Sequence, residues 1–156
     1  RIDRNPLGSA AGYGTPNLPG LAGLEAGVAG VESVGLERIR RHEMALWARL
    51  RDGLAALDGL VLYGAQDLPG RERIGVLSCN VEGLDAADVG RLLDVDHGIA
   101  CRTGLHCAPR VHGRLGTEAL GGAVRFAVGP FNTPGDIDAA VAAMADIAAT
   151  VKKKRP

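Results

Sequence analysis

Residues 122–129 read GAVRFAVG. Successive side chains of an extended strand point to opposite faces, so Val124, Phe126 and Val128 share one face while Ala123, Arg125 and Ala127 share the other. One face is bulky and apolar; the other sets a single cation among small residues. GIACRTG at 98–104 repeats the arrangement, with Ile99, Cys101 and Thr103 on one side and Ala100 and Arg102 on the opposite side. Strands of this kind belong to a sheet covered by helices on one face, with arginines on the other.

Working outward, LVLYG at 60–64 and RIGVLSCNV at 73–81 read as two further strands, divided by a loop with Pro69 and Gly70. Helical spacing governs the rest. Leu18, Leu21, Leu24, Val28, Val31 and Val34 recur at threes and fours. Gly35 interrupts that pattern, and Leu36, Ile39, Leu46, Trp47, Leu50, Leu54 and Leu57 resume it up to Gly59. Asp85 and Asp88 frame a capping-box-like start, with Leu84 and Val89 as a hydrophobic staple, for a helix to about residue 95. Thr133 and Pro134 open a closing helix whose stripe is Ile137, Val141, Met144, Ile147 and Val151.

The order helix, helix, strand, strand, helix, strand, strand, helix predicts an α+β domain, a two-layer sandwich in which helices cover one face of a small, largely antiparallel sheet. At 156 residues the chain suffices for one such domain with its own core. Charges cancel at 18 against 18, which gives no electrostatic footprint for nucleic acid or an anionic membrane surface. No apolar run approaches the roughly 18 residues of a membrane span. Three cysteines, Cys79, Cys101 and Cys107, are too few and too irregular for a disulfide framework. They fit a reducing compartment, so a cytoplasmic location is expected. The run KKKRP at 152–156 is expected to be a solvated basic tail.

Three features carry possible chemistry. Arg102 and Arg125, each among small residues, leave room for a carboxylate or phosphate, to which a guanidinium fork is matched; a solvated sheet face is the plainer alternative. Cys79 and Cys101 lie in apolar strands and are expected to be core. Cys107 is different, because GLHCAPRVHGRLG is loop-like and places His106, Arg110, His112 and Arg114 around it, the setting of a reactive thiol. A metal would find ligand atoms in Cys101, His106, Cys107 and His112, but the spacings of a closed zinc site are missing and no metal is expected. GYGTPN at 12–17 offers backbone N–H groups and the Thr15 hydroxyl to a phosphate at a helix N-terminus. It could equally be a plain turn, and it is not a dinucleotide fingerprint, since the third glycine and a preceding strand are missing.

Four motifs fall in order along the chain: GTPN before a helix, RTGLHCAP, the arginine strand GAVRFAV, and FNTPGDID opening the last helix. Together they resemble the class V aminotransferase-type enzymes, in particular the cysteine desulfurase and selenocysteine lyase branch of fold-type I pyridoxal-phosphate enzymes, from about Gly14 to about Val151. The resemblance implies the C-terminal small domain of such an enzyme at 18–151, entered through a segment at 1–17 from an upstream large domain, with 152–156 as the tail.

It implies that Cys107 accepts sulfur from L-cysteine as a persulfide while alanine is released, and that Arg125, Arg102 and His106 bind the substrate. Gly14 and Thr15 would contact the phosphate of pyridoxal 5′-phosphate across a homodimer, and the sulfur would pass to an acceptor protein. Selenocysteine lyase, another aminotransferase or epimerase of the class, and a non-enzymatic persulfide carrier stay open as alternatives. The only lysines are Lys152, Lys153 and Lys154, none placed to form the cofactor's Schiff base. The chain is therefore expected to be part of a longer enzyme and inactive alone.

Overall fold

The computed structural model describes residues 16–64 and 73–154, the side chain of Lys154 excepted. Gly14 and Thr15, and the loop glycine Gly70 and Pro69, lie outside the described residues. Two compact units divide the chain, Arg1–Arg38 and Ile39–Pro156.

The first unit holds α1, Leu18–Val34. Asn17 caps it, its side-chain oxygen accepting from the Gly20 N–H at 3.1 Å, and Pro19 sits in the first turn, where a missing N–H costs nothing. Its apolar residues Leu18, Leu21, Leu24 and Val28 are all exposed, and none of the helix is buried. Gly35, with φ +87°, ends it, and α2 begins at Leu36 and runs to Ala55.

The second unit is built on an antiparallel sheet of four strands: β1 Leu60–Tyr63, β2 Val76–Val81, β3 Arg102–Gly104 and β4 Ala123–Ala127, in the spatial order β1-β2-β4-β3. Three helices cover one face: α2, α3 at Ala86–His97, and α5 at Pro134–Lys154. The core lies between these layers. Leu46, Trp47, Leu50 and Leu54 of α2, Val89 and Leu93 of α3, and Ile137, Met144 and Ile147 of α5 meet Leu77, Cys79, Val81, Val124 and Phe126 from the sheet. The alternation expected at 122–129 is observed: Val124 and Phe126 are buried, and Arg125 between them stands on the other face. Gly90 lets α3 approach β3, since a Cβ there would come within 2.5 Å of Thr103 Cγ2.

The predicted α+β sandwich is thus the fold, with differences in detail that have physical causes. The second helix ends at Ala55 rather than Leu57, and Leu57 still packs against the core from the turn that follows. The third strand begins at Arg102, so Ile99 and Cys101 precede it in irregular chain and Cys101 is only partly buried. Asp85 stands at the N-cap of α3 but its side chain makes no capping bond. A working capping box occurs at α5. Thr133 Oγ1 accepts from the Asp136 N–H at 3.3 Å, and Asp136 accepts from the Thr133 N–H at 2.8 Å.

The segment expected as a loop between β3 and β4 contains a short helix, α4 at Pro109–Leu115, and a 3-10 turn at Glu118–Leu120. The run from Lys152 to Lys154 continues α5 rather than trailing from it, and Lys152 reaches Asp58 at 3.2 Å. No helix among the described residues is long and apolar enough to cross a membrane.

Candidate functional site

The uncovered face of the sheet carries one cross-strand row. Arg102 of β3 pairs with Arg125 of β4, Arg125 with Ser78 of β2, and Ser78 with Tyr63 of β1. Directly opposed residues share a face, so two guanidinium groups, a hydroxyl and a phenol lie side by side across the sheet. Neither guanidinium has a hydrogen bond or ion pair among the described residues. Like charges directly opposite each other destabilise a strand pair by roughly 0.2–1 kcal/mol. A bound anion removes that repulsion, and a guanidinium fork is the shape that takes a carboxylate.

Beside this row, β3 hands over to the segment that bears the thiol. The Ala108 N–H donates to the Leu105 carbonyl at 2.8 Å, closing a four-residue turn. Its two central residues, His106 at φ 51° and Cys107 at φ 59°, are both left-handed. Non-glycine residues occupy this region at roughly 1–2 kcal/mol each, and turns of the I′ kind usually place Asn and Gly there. The result is that Cys107 stands exposed at the tip of a two-residue bend. Cys79 is buried and its thiol is pushed up to about 12 by burial, with Cys101 adding to the effect. Burial also raises Cys101, helped by the nearby Asp94 carboxylate. Both are poor nucleophiles, as expected of core cysteines, and Cys107 is the accessible thiol.

His106 holds the turn to the sheet. Its Nε2 lies 3.0 Å from the Ala123 carbonyl. Burial lowers its pKa, the Ala123 bond partly opposes that, and Arg125, His112 and Arg102 add positive charge nearby that lowers it further. The expected substrate residues Arg102, Arg125 and His106 are therefore brought into one electrostatic neighbourhood, next to Cys107 in the chain. No cluster of three metal-ligating side chains occurs among the described residues.

The base of the turn is pinned by a backbone contact. At Gly122, φ +101°, a Cβ would lie 2.2 Å from the Gly104 carbonyl oxygen, so the two backbones touch where β3 and β4 leave the ladder. Asn80 fixes the same place from below: it is 1% exposed, donates from Nδ2 to the Gly122 carbonyl at 2.9 Å and accepts from the Val124 N–H at 3.3 Å. Sequence reading missed Ser78, Tyr63 and Asn80. Alternation along VLSCNV would have placed Ser78 and Asn80 opposite the buried Leu77 and Cys79, but the register that aligns them with Arg125 is not written in any one strand.

A groove of about 350 Å³ between α3 and α5, lined by Leu84, Leu92, Asp96 and Ile147, lies on the helical side and shares no residue with the arginine row or the turn.

An antiparallel four-stranded sheet covered by helices on one face is the α+β fold expected above, and comparison with known proteins agrees. The class-V aminotransferase family model matches residues 4–140, and the chain belongs to that family. Among curated relatives, the cysteine desulfurase of Cronobacter sakazakii is 37% identical over 131 residues, and a probable cysteine desulfurase of Methanothermobacter thermautotrophicus is 33% identical over 124. These alignments cover 84% and 80% of the chain but 30% of each relative, so the chain spans about a third of their length.

The apo cysteine desulfurase of Thermococcus onnurineus superposes with a TM-score of 0.77 at 37% identity, covering 88% of the chain and 33% of that structure. The Escherichia coli cysteine desulfurase CsdA gives 0.74 at 29% identity, covering 90% and 32%.

The family implies pyridoxal phosphate. The described residues do not supply the amine that holds that group's aldehyde: Lys152 is paired with Asp58 at the far end of α5, away from the sheet face that carries the arginines.

Proposed function

We propose that the chain is the substrate-clamping, sulfur-accepting part of a pyridoxal-phosphate-dependent cysteine desulfurase acting on L-cysteine as a homodimer. Arg125, with Arg102 beside it, takes the substrate carboxylate, and His106 lies next to them. Cys107 receives the sulfur atom: cysteine and the Cys107 thiol become alanine and a Cys107 persulfide, with no other oxidant or reductant required. The exposed tip then presents the outer sulfur to an acceptor protein. The cofactor supplies the electron sink and is held by parts of the enzyme other than the residues described here, Gly14 and Thr15 being this chain's own phosphate contacts. The reaction is that of a protein in a reducing, cytoplasmic setting.

The observation that carries this reading is the facing Arg102–Arg125 pair, without a partner among the described residues, beside an exposed thiol on a two-residue bend. In the holoenzyme that contains this chain, incubation with L-cysteine is expected to add one sulfur atom to the Cys107 peptide by mass spectrometry. Arg125→Ala is expected to raise KM for cysteine roughly 10- to 100-fold, the range of a lost hydrogen bond to a charged group. Sulfide release at the normal rate by Cys107→Ser would refute the role of the thiol.

A further inference from the structure

Behind the turn that bears Cys107, His106 meets two side chains, His112 and Thr117, to which the sulfur chemistry gives no role. His106 Nε2 faces the Ala123 carbonyl at 3.0 Å, and a carbonyl can only accept. The proton of the neutral ring is therefore on Nε2, and Nδ1 is a bare lone pair. That Nδ1 is buried and has no hydrogen-bond partner among the described residues. A buried acceptor of this kind is rare in folded proteins, because its lost hydration is not replaced.

The neighbouring ring is His112 of α4, 5.9 Å away between centroids and inclined by 46°. His112 is itself 5% exposed, and its Nδ1 stands 2.7 Å from Thr117 Oγ1, with Thr117 1% exposed. A hydroxyl can donate or accept, so two arrangements are open. If His112 donates from Nδ1, its Nε2 is a lone pair, and the group holds no N–H for His106 Nδ1. If Thr117 donates to Nδ1, the His112 proton sits on Nε2 and supplies the N–H that His106 lacks. Only the second arrangement gives the group a donor for His106 Nδ1, the one buried side-chain nitrogen without a partner among the described residues.

We propose that His112 is a positioning residue for the Cys107 turn: held by Thr117 as the Nε2–H tautomer, it donates to His106 Nδ1 through one water or after a small ring rotation, and so keeps His106 on the Ala123 carbonyl. The chain of bonds runs Thr117 hydroxyl, His112, His106, Ala123 carbonyl, with each donor matched to one acceptor. It gives the left-handed pair His106–Cys107 a fixed anchor that the bend itself does not provide.

The charged surroundings agree with a neutral His106. Arg125 of β4 and Arg102 of β3 both disfavour a further positive charge at His106, as does His112. The Glu118 carboxylate, on the 3-10 turn, lies against Gly113 of α4, 3.3 Å from where a Cβ would stand, and it does not figure among the influences on His106.

The consequence for sulfur transfer rests on the reading of Cys107 above, whereas the relay is measured without it. Imidazole 15N shifts of the labelled chain at about pH 7.5 report the tautomers, with His42 and His97 as internal references. Both His106 and His112 are expected as Nε2–H. Finding His112 protonated on Nδ1 overturns the proposal in the unmodified chain, whatever any variant does. Thr117→Val is expected to mix the His112 tautomers, shift the His106 resonances and change the rate of Cys107 alkylation by about threefold, with Thr117→Ser restoring all three. A folded Thr117→Val chain with unchanged His106 shifts would also overturn it. Should Cys107 gain no sulfur in the holoenzyme while the histidine shifts come out as expected, the functional reading fails and the relay stands.

Discussion

Gly121 and Gly122 allow backbone conformation to be separated from close contact, because the two residues share a positive φ and differ in their surroundings. Gly121 has φ +67° with nothing within 4 Å of a Cβ; Gly122 has φ +101° and would place a Cβ 2.2 Å from the Gly104 oxygen, 2.3 Å from its carbonyl carbon and 2.9 Å from its Cα. For Gly121→Ala only the left-handed conformation counts, about 1 kcal/mol. Gly122→Ala carries at least that, and the obstruction is backbone, which no rotamer change can clear. Overpacking that forces backbone to move adds roughly 1–3 kcal/mol, for a total of about 2–5 kcal/mol. The displaced strand would be β3, so the pairs Gly104↔Ala123 and Arg102↔Arg125 would loosen with it. Urea denaturation of the two variants, compared at equal m-value, measures the difference. Equal losses in both would mean that the Gly104–Gly122 contact does not hold β3 in place, and the account of how the turn is anchored would be wrong.

Two further expectations concern titration. The Cys79 thiol, pushed up to about 12 by burial, stays protonated in the folded chain where the unfolded chain ionises near 9.0. Its contribution to stability is therefore complete below that value and is lost as pH rises toward 12. Native-state alkylation at mildly alkaline pH should label Cys107 and spare Cys79; equal labelling of both would contradict the described core. His106 runs the other way in acid: its folded pKa is lowered below 6.5, so the unfolded chain takes up a proton first and stability falls as pH drops through that region. Replacing His106 by Gln should flatten this acid slope in a melting series, and an undiminished slope would show that another group carries it.

Much of the fold was legible because its signals are local. The alternation in AVRFAV, the threes and fours of α2 and α5, and the Thr133 cap each come from a single contiguous segment. α4 escaped for a definite reason: its one buried residue is His112, so PRVHGRL has no apolar stripe to betray it. The start of β3 was placed too early because Ile99 and Cys101 have strand-like composition, while only Arg102–Gly104 finds a hydrogen-bonding neighbour. At the site, Arg102, Arg125 and Cys107 stood out through their surroundings in sequence. Ser78, Tyr63 and Asn80 did not, since their places depend on which strand lies beside β4. Left-handed His106 and Cys107 run against local preference, and such conflicts between sequence and conformation tend to gather where function resides.

The alternation along β4 also limits how this protein can vary. Arg125 and Phe126 are chain neighbours on opposite faces, one toward the anion row and the other toward the core. Exchanging either side chain affects mainly its own face. Inserting or deleting one residue in the strand would turn both at once, burying a guanidinium and exposing a phenyl ring. Drift at this sheet is therefore confined to substitutions, and tolerated changes in length belong to the segments that join the strands.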